Sequence, residues 1–381
     1  MAHHFPGATH QPSVATPTQR PFGEDWRRAA KIIRPRDIRC AIKTLKPYKS
    51  SGLDNIFPAL LQKGLDILVP LLVKIYRVSF AWGYLPEQWT RAKVLFIPKA
   101  GRKDYSLPSS FRPISLTSFL LKVFEKVLDR HIREDALSLK PIHSSQHAYC
   151  RGRSTETALL QLVDRVEKAL QDKQIALCAF LDIEGAFDNT PTDTLVKGLI
   201  NKNVDSTTVK WVRSMLSNRK ALISLHGTSL ELYTTRGCPQ GGVLSPLLWT
   251  LAVDKLLSKL AELRIDALGY ADDLVIIVRG FCQSLLSSIL QKALNTISQW
   301  CSANKLSVNA GKTVIVPFTR KRTLNKLKSP TLNGSTLEFS AEVKYLGVTF
   351  NQKLTWNSHI DKAVKKAKTT LGVCRRLVGR H

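Results

Sequence analysis

Residues 269–277 read GYADDLVII, and they set two adjacent carboxylates between a tyrosine and a run of branched apolar side chains. The run Leu274–Val278 predicts a buried strand. Two anions at the mouth of such a strand repel each other, and burial makes the repulsion worse. Asp272 and Asp273 therefore belong either to a solvated turn or to a place where something positive meets them.

A second stretch supplies a partner. CAFLDIEGAFDNT, residues 178–190, carries Asp182 at the end of another predicted strand, directly after Ala-Phe-Leu. A carboxylate there is poorly solvated unless a metal or a cation faces it. If the two strands are neighbours, Asp182 and Asp272 come from adjacent strand ends, with Asp273 close by. Carboxylates so placed can bridge a pair of Mg²⁺ ions, which would remove the repulsion and suit phosphoryl transfer. Asp188, just beyond, reads as a helix N-terminal residue ahead of Pro191.

The 381 residues include 57 Lys and Arg against 29 Asp and Glu, a formal charge of +28. An excess this large points to a polyanionic partner, of which a nucleic acid backbone is the commonest; the alternative is a generally basic soluble protein. With 44% hydrophobic residues the chain is expected to be globular. The seven cysteines are scattered, without a C-x-x-C pair, which argues against a zinc knuckle or a disulfide framework and for a reducing, intracellular compartment, nucleus or cytoplasm. No uninterrupted apolar stretch approaches about eighteen residues, so no membrane span is expected.

Along the chain, residues 1–35 are expected to be a disordered lead-in rich in Pro, Thr, His and Gly. Helical patterns follow at 35–44, 57–83 and 116–132, with a strand at 91–99. From 155 onward helices (155–171, 192–201, 207–217, 243–263, 283–301) alternate with strands at 175–183, 221–227, 231–236, 274–278, 312–318 and 343–350. The mixture of helices, hairpins and strands predicts an α+β fold with an antiparallel sheet. The tail 357–381 reads as a basic amphipathic helix whose stripe Ile360, Val364, Ala367 and Leu371 faces one side.

Several stretches, in this order, resemble the reverse transcriptases of non-LTR (LINE-type) retrotransposons, of the jockey-like broad group. GYADDLVII resembles the Tyr-x-Asp-Asp motif, and FLDIEGAFDN (180–189) the motif with the first catalytic aspartate. RGCPQGGVLSPLLW (236–249) is similar to the Pro-Gln-Gly motif, while FRPISLTSFLLKVFEKVL (111–128) and SSQHAYCRGRSTETAL (144–159) are similar to the fingers region. KYLGVTF (344–350) resembles the primer-grip strand. PYKSSGLDNIFPALLQ (47–62) resembles the element before the fingers, with Asn55 where the family usually has Gly.

The resemblance covers roughly residues 36–380 and implies a right-hand polymerase: fingers, a palm with an antiparallel sheet, and a partial helical thumb. It divides the chain into pre-fingers and fingers with the start of the palm (36–174), palm with inserted fingers helices (175–340), and primer grip with partial thumb (341–381). It implies an RNA template, a DNA primer and deoxynucleoside triphosphates as partners, and two Mg²⁺ ions, with Mn²⁺ as a substitute. Asp182, Asp272 and Asp273 would be the catalytic carboxylates, with the Ile183 carbonyl as a further metal ligand. Phe187 would pack beneath the nucleotide sugar, or else be an ordinary core phenylalanine. Gln240 would sit beside the nucleotide, with Gly237, Gly241 and Gly242 allowing close backbone approach. Lys99 and Arg112 would clamp the triphosphate, or form surface ion pairs. Lys312 would protonate the leaving pyrophosphate, and Tyr345, Leu346 and Gly347 would hold the primer end.

No upstream endonuclease and no downstream RNase H or zinc-knuckle region is expected within this sequence, which reads as a truncated element. Two other readings stay open: an inactive nucleic-acid-binding relic, and another Mg²⁺-dependent nucleotidyl transferase such as a viral RNA-dependent RNA polymerase.

Overall fold

Apolar runs that end on charges or turn residues form the strands of this chain. The structure, a computed structural model, describes residues 4–5, 20–102, 104–217, 219–225 and 228–378. In chain order the strands are β1 (Arg91–Pro98), β2 (Phe111–Leu116), β3 (Ile175–Glu184), β4 (Arg219–Leu225), β5 (Thr228–Thr234), β6 (Asp266–Tyr270), β7 (Asp273–Gly280), β8 (Ser307–Val308), β9 (Val314–Phe318), β10 (Thr331–Leu332), β11 (Ser335–Thr336), β12 (Glu342–Tyr345) and β13 (Val348–Asn351).

Packing divides the chain into two units that interleave in sequence. One takes the residues up to His143, then Gly185–Lys255 and Asn304–Leu306; the other takes Ser144–Glu184, Leu256–Ala303 and the residues from Ser307 onward. This differs from the linear boundaries at 174/175 and 340/341, because each sheet gathers strands far apart in sequence.

The second unit is built on an antiparallel sheet. β7 pairs with β6 and with β3, and β3 also pairs with β8 and β9. From Ile175 to Leu181 every residue of β3 is buried, so both of its faces are covered. Ala176, Cys178 and Phe180 of β3 pack with Leu162, Val166 and Ala169 of the helix Thr155–Gln171. The helix Gln283–Ala303 packs on β7 and β3.

The first unit combines the sheet β2-β1-β4-β5, with β1 and β4 parallel, and a helical core. Phe124 of the helix Phe119–Glu134 lies at its centre, wholly buried. Its ring stacks on Tyr76 at 4.7 Å and meets Trp211 edge-on at 4.6 Å. The polar tips of these neighbours are satisfied: the Tyr76 hydroxyl donates to the Leu120 carbonyl and the Trp211 ring nitrogen to Ser79 Oγ.

Two local expectations are corrected. The lead-in 1–35 is not disordered throughout: Gly23–Ile32 is a helix, with acidic Glu24 and Asp25 in its first turn and Lys31 in its last. Ala29, Ile32 and Ile33 are buried, so this segment has a face to pack and order offsets its entropy cost. Residues 1–3 and 6–19 lie outside the described residues. The stretch 343–350 is a hairpin rather than one strand, because Leu346 (φ 45°) and Gly347 (φ 89°) turn the chain between β12 and β13. The tail forms the helix Asn357–Val378, but Ile360, Val364 and Leu371 of its stripe are exposed.

Phe124→Ala should lower stability by about 3–5 kcal/mol, the cost of removing a large buried ring and leaving a cavity. Urea unfolding followed by tryptophan fluorescence reads this out. A loss under about 1 kcal/mol would contradict the central place given to Phe124.

Candidate active site

Strand register brings the acidic residues together. In the β3–β7 ladder Asp182 is the direct partner of Asp273. The β6–β7 hairpin turns tightly, with Tyr270 paired to Asp273 and Ala271 in the left-handed region at φ 56°. Asp272 lies in that turn, and its carbonyl accepts a hydrogen bond from the Ile183 amide at 3.1 Å. The turn is braced from behind, since the His147 amide donates to the Gly269 carbonyl and the Gly269 amide to the Ser145 carbonyl, each at 2.9 Å.

The three carboxylates are half-buried, and their charges are felt. Burial first, then Asp272 and Asp182, push the Asp273 carboxyl up to about 6. A cation stands at Asp182: Lys312 Nζ donates to Asp182 Oδ2 at 2.7 Å and lies 3.9 Å from Glu184 Oε1. Lys312 lies on a short turn capped by Asn309, whose side chain accepts from the Lys312 amide and donates to Glu184. Among the described residues no group of three or more Asp, Glu, His or Cys side chains is placed to hold a metal ion. A partial set of carboxylates is what Mg²⁺ uses when phosphates and water supply the rest of its shell.

Beside these residues stands the β12–β13 hairpin. Tyr345 is buried with its ring 5.4 Å from Phe180. Its hydroxyl is buried without a hydrogen-bond partner among the described residues. Burial, then Asp273 and Tyr270, push its ionisation upward.

The remaining candidates belong to the other unit. The loop 236–242 is fastened to the residues after β3: the Cys238 amide donates to the Phe187 carbonyl at 2.7 Å and the Gly237 amide to the Thr190 carbonyl at 2.8 Å. Gly237 has φ 73°, and a Cβ there would lie 2.4 Å from the carbonyl oxygens of both Phe187 and Asp188. Gly241 has φ 122°, and its Cβ would meet the Ser115 carbonyl at 2.7 Å. Only glycine fits either place. The Ser115 amide in turn donates to the Gln240 carbonyl at 2.8 Å. The Gln240 side-chain oxygen is buried and unpartnered among the described residues.

Phe187 is half-buried and packs against the helical core, 6.3 Å from the Trp249 ring. Arg112 is exposed on β2 opposite Ile97, while Lys99 just past β1 donates to the Ser109 carbonyl at 2.9 Å. Asp182, Asp272, Asp273, Ile183, Lys312 and the Tyr345–Gly347 turn thus share one unit, and Lys99, Arg112, Phe187, Gln240 and Gly241 share the other.

Asp188 lies in the first turn of the short helix Ala186–Asn189, half-buried, and burial pushes its carboxyl up to about 6 while Arg219 and Lys99 pull it down. Arg219 was not foreseen. It is half-buried and donates to the Arg236 and Gly237 carbonyls at 2.6 and 2.8 Å, tying β4 to the loop. Glu184 was also missed, although its spacing of two from Asp182 places both on one face of β3.

A family model for "Reverse transcriptase (RNA-dependent DNA polymerase)" matches residues 97–350. The chain is 31% identical over 358 residues to a probable RNA-directed DNA polymerase from transposon BS of Drosophila melanogaster, covering 92% of this chain and 39% of that protein. It is 27% identical to the RNA-directed DNA polymerase from mobile element jockey of Drosophila funebris, covering 96% and 40% respectively. The chain thus spans about two fifths of the length of these curated relatives. Among solved structures, apo telomerase from Candida tropicalis aligns with a TM-score of 0.49 at 15% identity, covering 76% of this chain and 53% of that one.

Asp273 gives the site a pH signature. Its folded value, about 6, lies above the ordinary 3.8, so its contribution to stability is present below 3.8 and lost as pH rises through 6. In chelator-treated protein, Asp273→Asn should therefore raise the melting temperature more at pH 7.5 than at pH 5. An equal change at both pH values would mean that the Asp273 carboxyl is not raised in the folded protein.

Proposed function

Because the chain belongs to the reverse transcriptase family, we propose that it extends a DNA primer on an RNA template by nucleotidyl transfer at the Asp182, Asp272 and Asp273 carboxylates. The observation that carries this reading is the β3–β7 register, which sets Asp182 opposite Asp273 with Asp272 in the adjoining turn. Repelling carboxylates with one lysine among them fit divalent cations, Mg²⁺ in the first place and Mn²⁺ as its substitute, with the Ile183 carbonyl as a further ligand. Bound there, two such ions would stabilise the attacking and leaving oxygens of an in-line displacement.

The chain's own residues do the remaining work. Asp182, Asp272 and Asp273 would hold those ions beside the place of the primer's 3′-hydroxyl. Lys312 delivers a proton to the departing pyrophosphate, and Glu184 and Asn309 keep its turn in place. Lys99 and Arg112 bind the triphosphate, Arg112 from an exposed place on β2. Phe187, held by its backbone to Cys238, closes the space a ribose 2′-hydroxyl would need. Gln240 and Gly241 lie against the nucleotide, and the Tyr345–Gly347 turn holds the primer end. The charge of +28 serves backbone contacts, because base pairing supplies the sequence.

Asp182→Asn and Asp272→Asn should each lower primer extension on an RNA template on the order of a thousandfold or more. Both should still melt cooperatively and bind an RNA–DNA duplex within a few-fold of wild type. Activity near wild type in either would remove the carboxylates from the chemistry. In the same assay Phe187→Ala should raise kcat/KM for ribonucleotides relative to deoxynucleotides by roughly tenfold or more; an unchanged ratio would make Phe187 a packing residue only.

A further inference from the structure

The helix Phe119–Glu134 carries a charged residue on its apolar face. Glu125 shares that face with Leu121, Leu128 and Ile132 and is completely buried. Its Oε2 accepts a hydrogen bond from the Val243 amide at 3.0 Å, and the Leu244 amide also reaches the carboxylate. These are the last two amides before the helix Ser245–Glu262. Its Oε1 is buried with no hydrogen-bond partner among the described residues. Half-satisfied burial of this kind costs stability, so packing alone does not explain an acid here.

What Glu125 grips is the far end of the loop that bears Gln240. The Pro239 carbonyl closes the turn, accepting from the Gly242 amide at 2.9 Å and from Ser245 Oγ at 2.8 Å. On the near side Ser115 of β2 holds the Gln240 carbonyl. Gln240 and Gly241 are therefore strung between two anchors, one on β2 and one on Glu125. We propose that Glu125 is a positioning residue that sets where Gln240 and Gly241 stand toward the incoming deoxynucleotide. This rests on the reading of those two residues as nucleotide-binding.

The charge matters because a carboxylate holds amides more strongly than a neutral acid does. Lys122 attracts it from the preceding turn of its helix, Asp129 repels it from the following one, and the Cys238 thiol faces it from the loop. Lys122 is shared with Asp54. Burial outweighs these and brings the Glu125 carboxyl up to about 7. As pH falls through 7 the acid protonates and its grip on the loop weakens. Global stability moves the other way: with a folded value above the ordinary 4.5, the contribution is present below 4.5 and lost as pH rises through 7.

Glu125→Gln keeps the size and one acceptor oxygen while removing the charge. Its KM for deoxynucleotide should rise about five- to tenfold, with kcat within about twofold and duplex affinity unchanged. Wild-type KM should rise as pH falls from 8 to 6, and the variant's should be flat. A bare packing role would leave KM and its pH profile as in wild type, and that result overturns the proposal. Amide hydrogen exchange at Val243 and Leu244, measured without substrate, separates this failure from that of the functional reading. Should the wild-type chain extend no primer, faster exchange in the variant still supports the anchor, and equal exchange overturns it.

Discussion

Like charges opposed across a strand pair are the constraint on which this structure turns. Asp182 and Asp273 are partners in the β3–β7 ladder, and the ladder admits no small adjustment. A slip of one residue would turn every side chain of β3 to the other face. The apolar residues from Ile175 to Leu181, buried on both sides, forbid it. The sheet thus holds three acids close together, and burial first, then the neighbouring Asp272 and Asp182, raises the Asp273 carboxyl. Lys312 sets a positive charge against Asp182.

The other unit solves a different problem, that of presenting backbone closely and at a fixed place. Its loop 236–242 has four tethers: Phe187 and Thr190 through carbonyls, Arg219 through its guanidinium, and Ser115 through the β2 amide. Gly237 and Gly241 sit where any side chain would strike a carbonyl. Tethers of this number make the loop part of the scaffold, so that side chains mounted on it inherit the rigidity of strands.

Much of this was legible in the sequence because strands that end on acids are unusual. The apolar runs before Asp182 and after Asp273 announced two strands, and the acids at their ends gave a reason for the two to be neighbours. The antiparallel sheet and most helix positions followed from periodicity. Other features were not legible. Glu125 and Glu184 act through partners more than a hundred residues away, and Arg219 through carbonyls of a loop beyond the next strand, and no local pattern names such partners. The helix Gly23–Ile32 was hidden by the Pro- and Thr-rich residues before it. The hairpin at Leu346–Gly347 was hidden because a leucine in the left-handed region carries no turn signature. The interleaving of the two units is a property of tertiary pairing that linear boundaries cannot express.

The central claim is that the Asp182 and Asp272–Asp273 strand ends together hold divalent cations during nucleotide transfer. It is tested most directly by anomalous scattering from crystals containing Mn²⁺, an RNA template with DNA primer, and a non-hydrolysable deoxynucleotide. The account predicts two peaks roughly 4 Å apart, with carboxylate oxygens of both strand ends within bonding distance and Lys312 displaced from Asp182. Peaks bound elsewhere, with Lys312 still on Asp182, would contradict it.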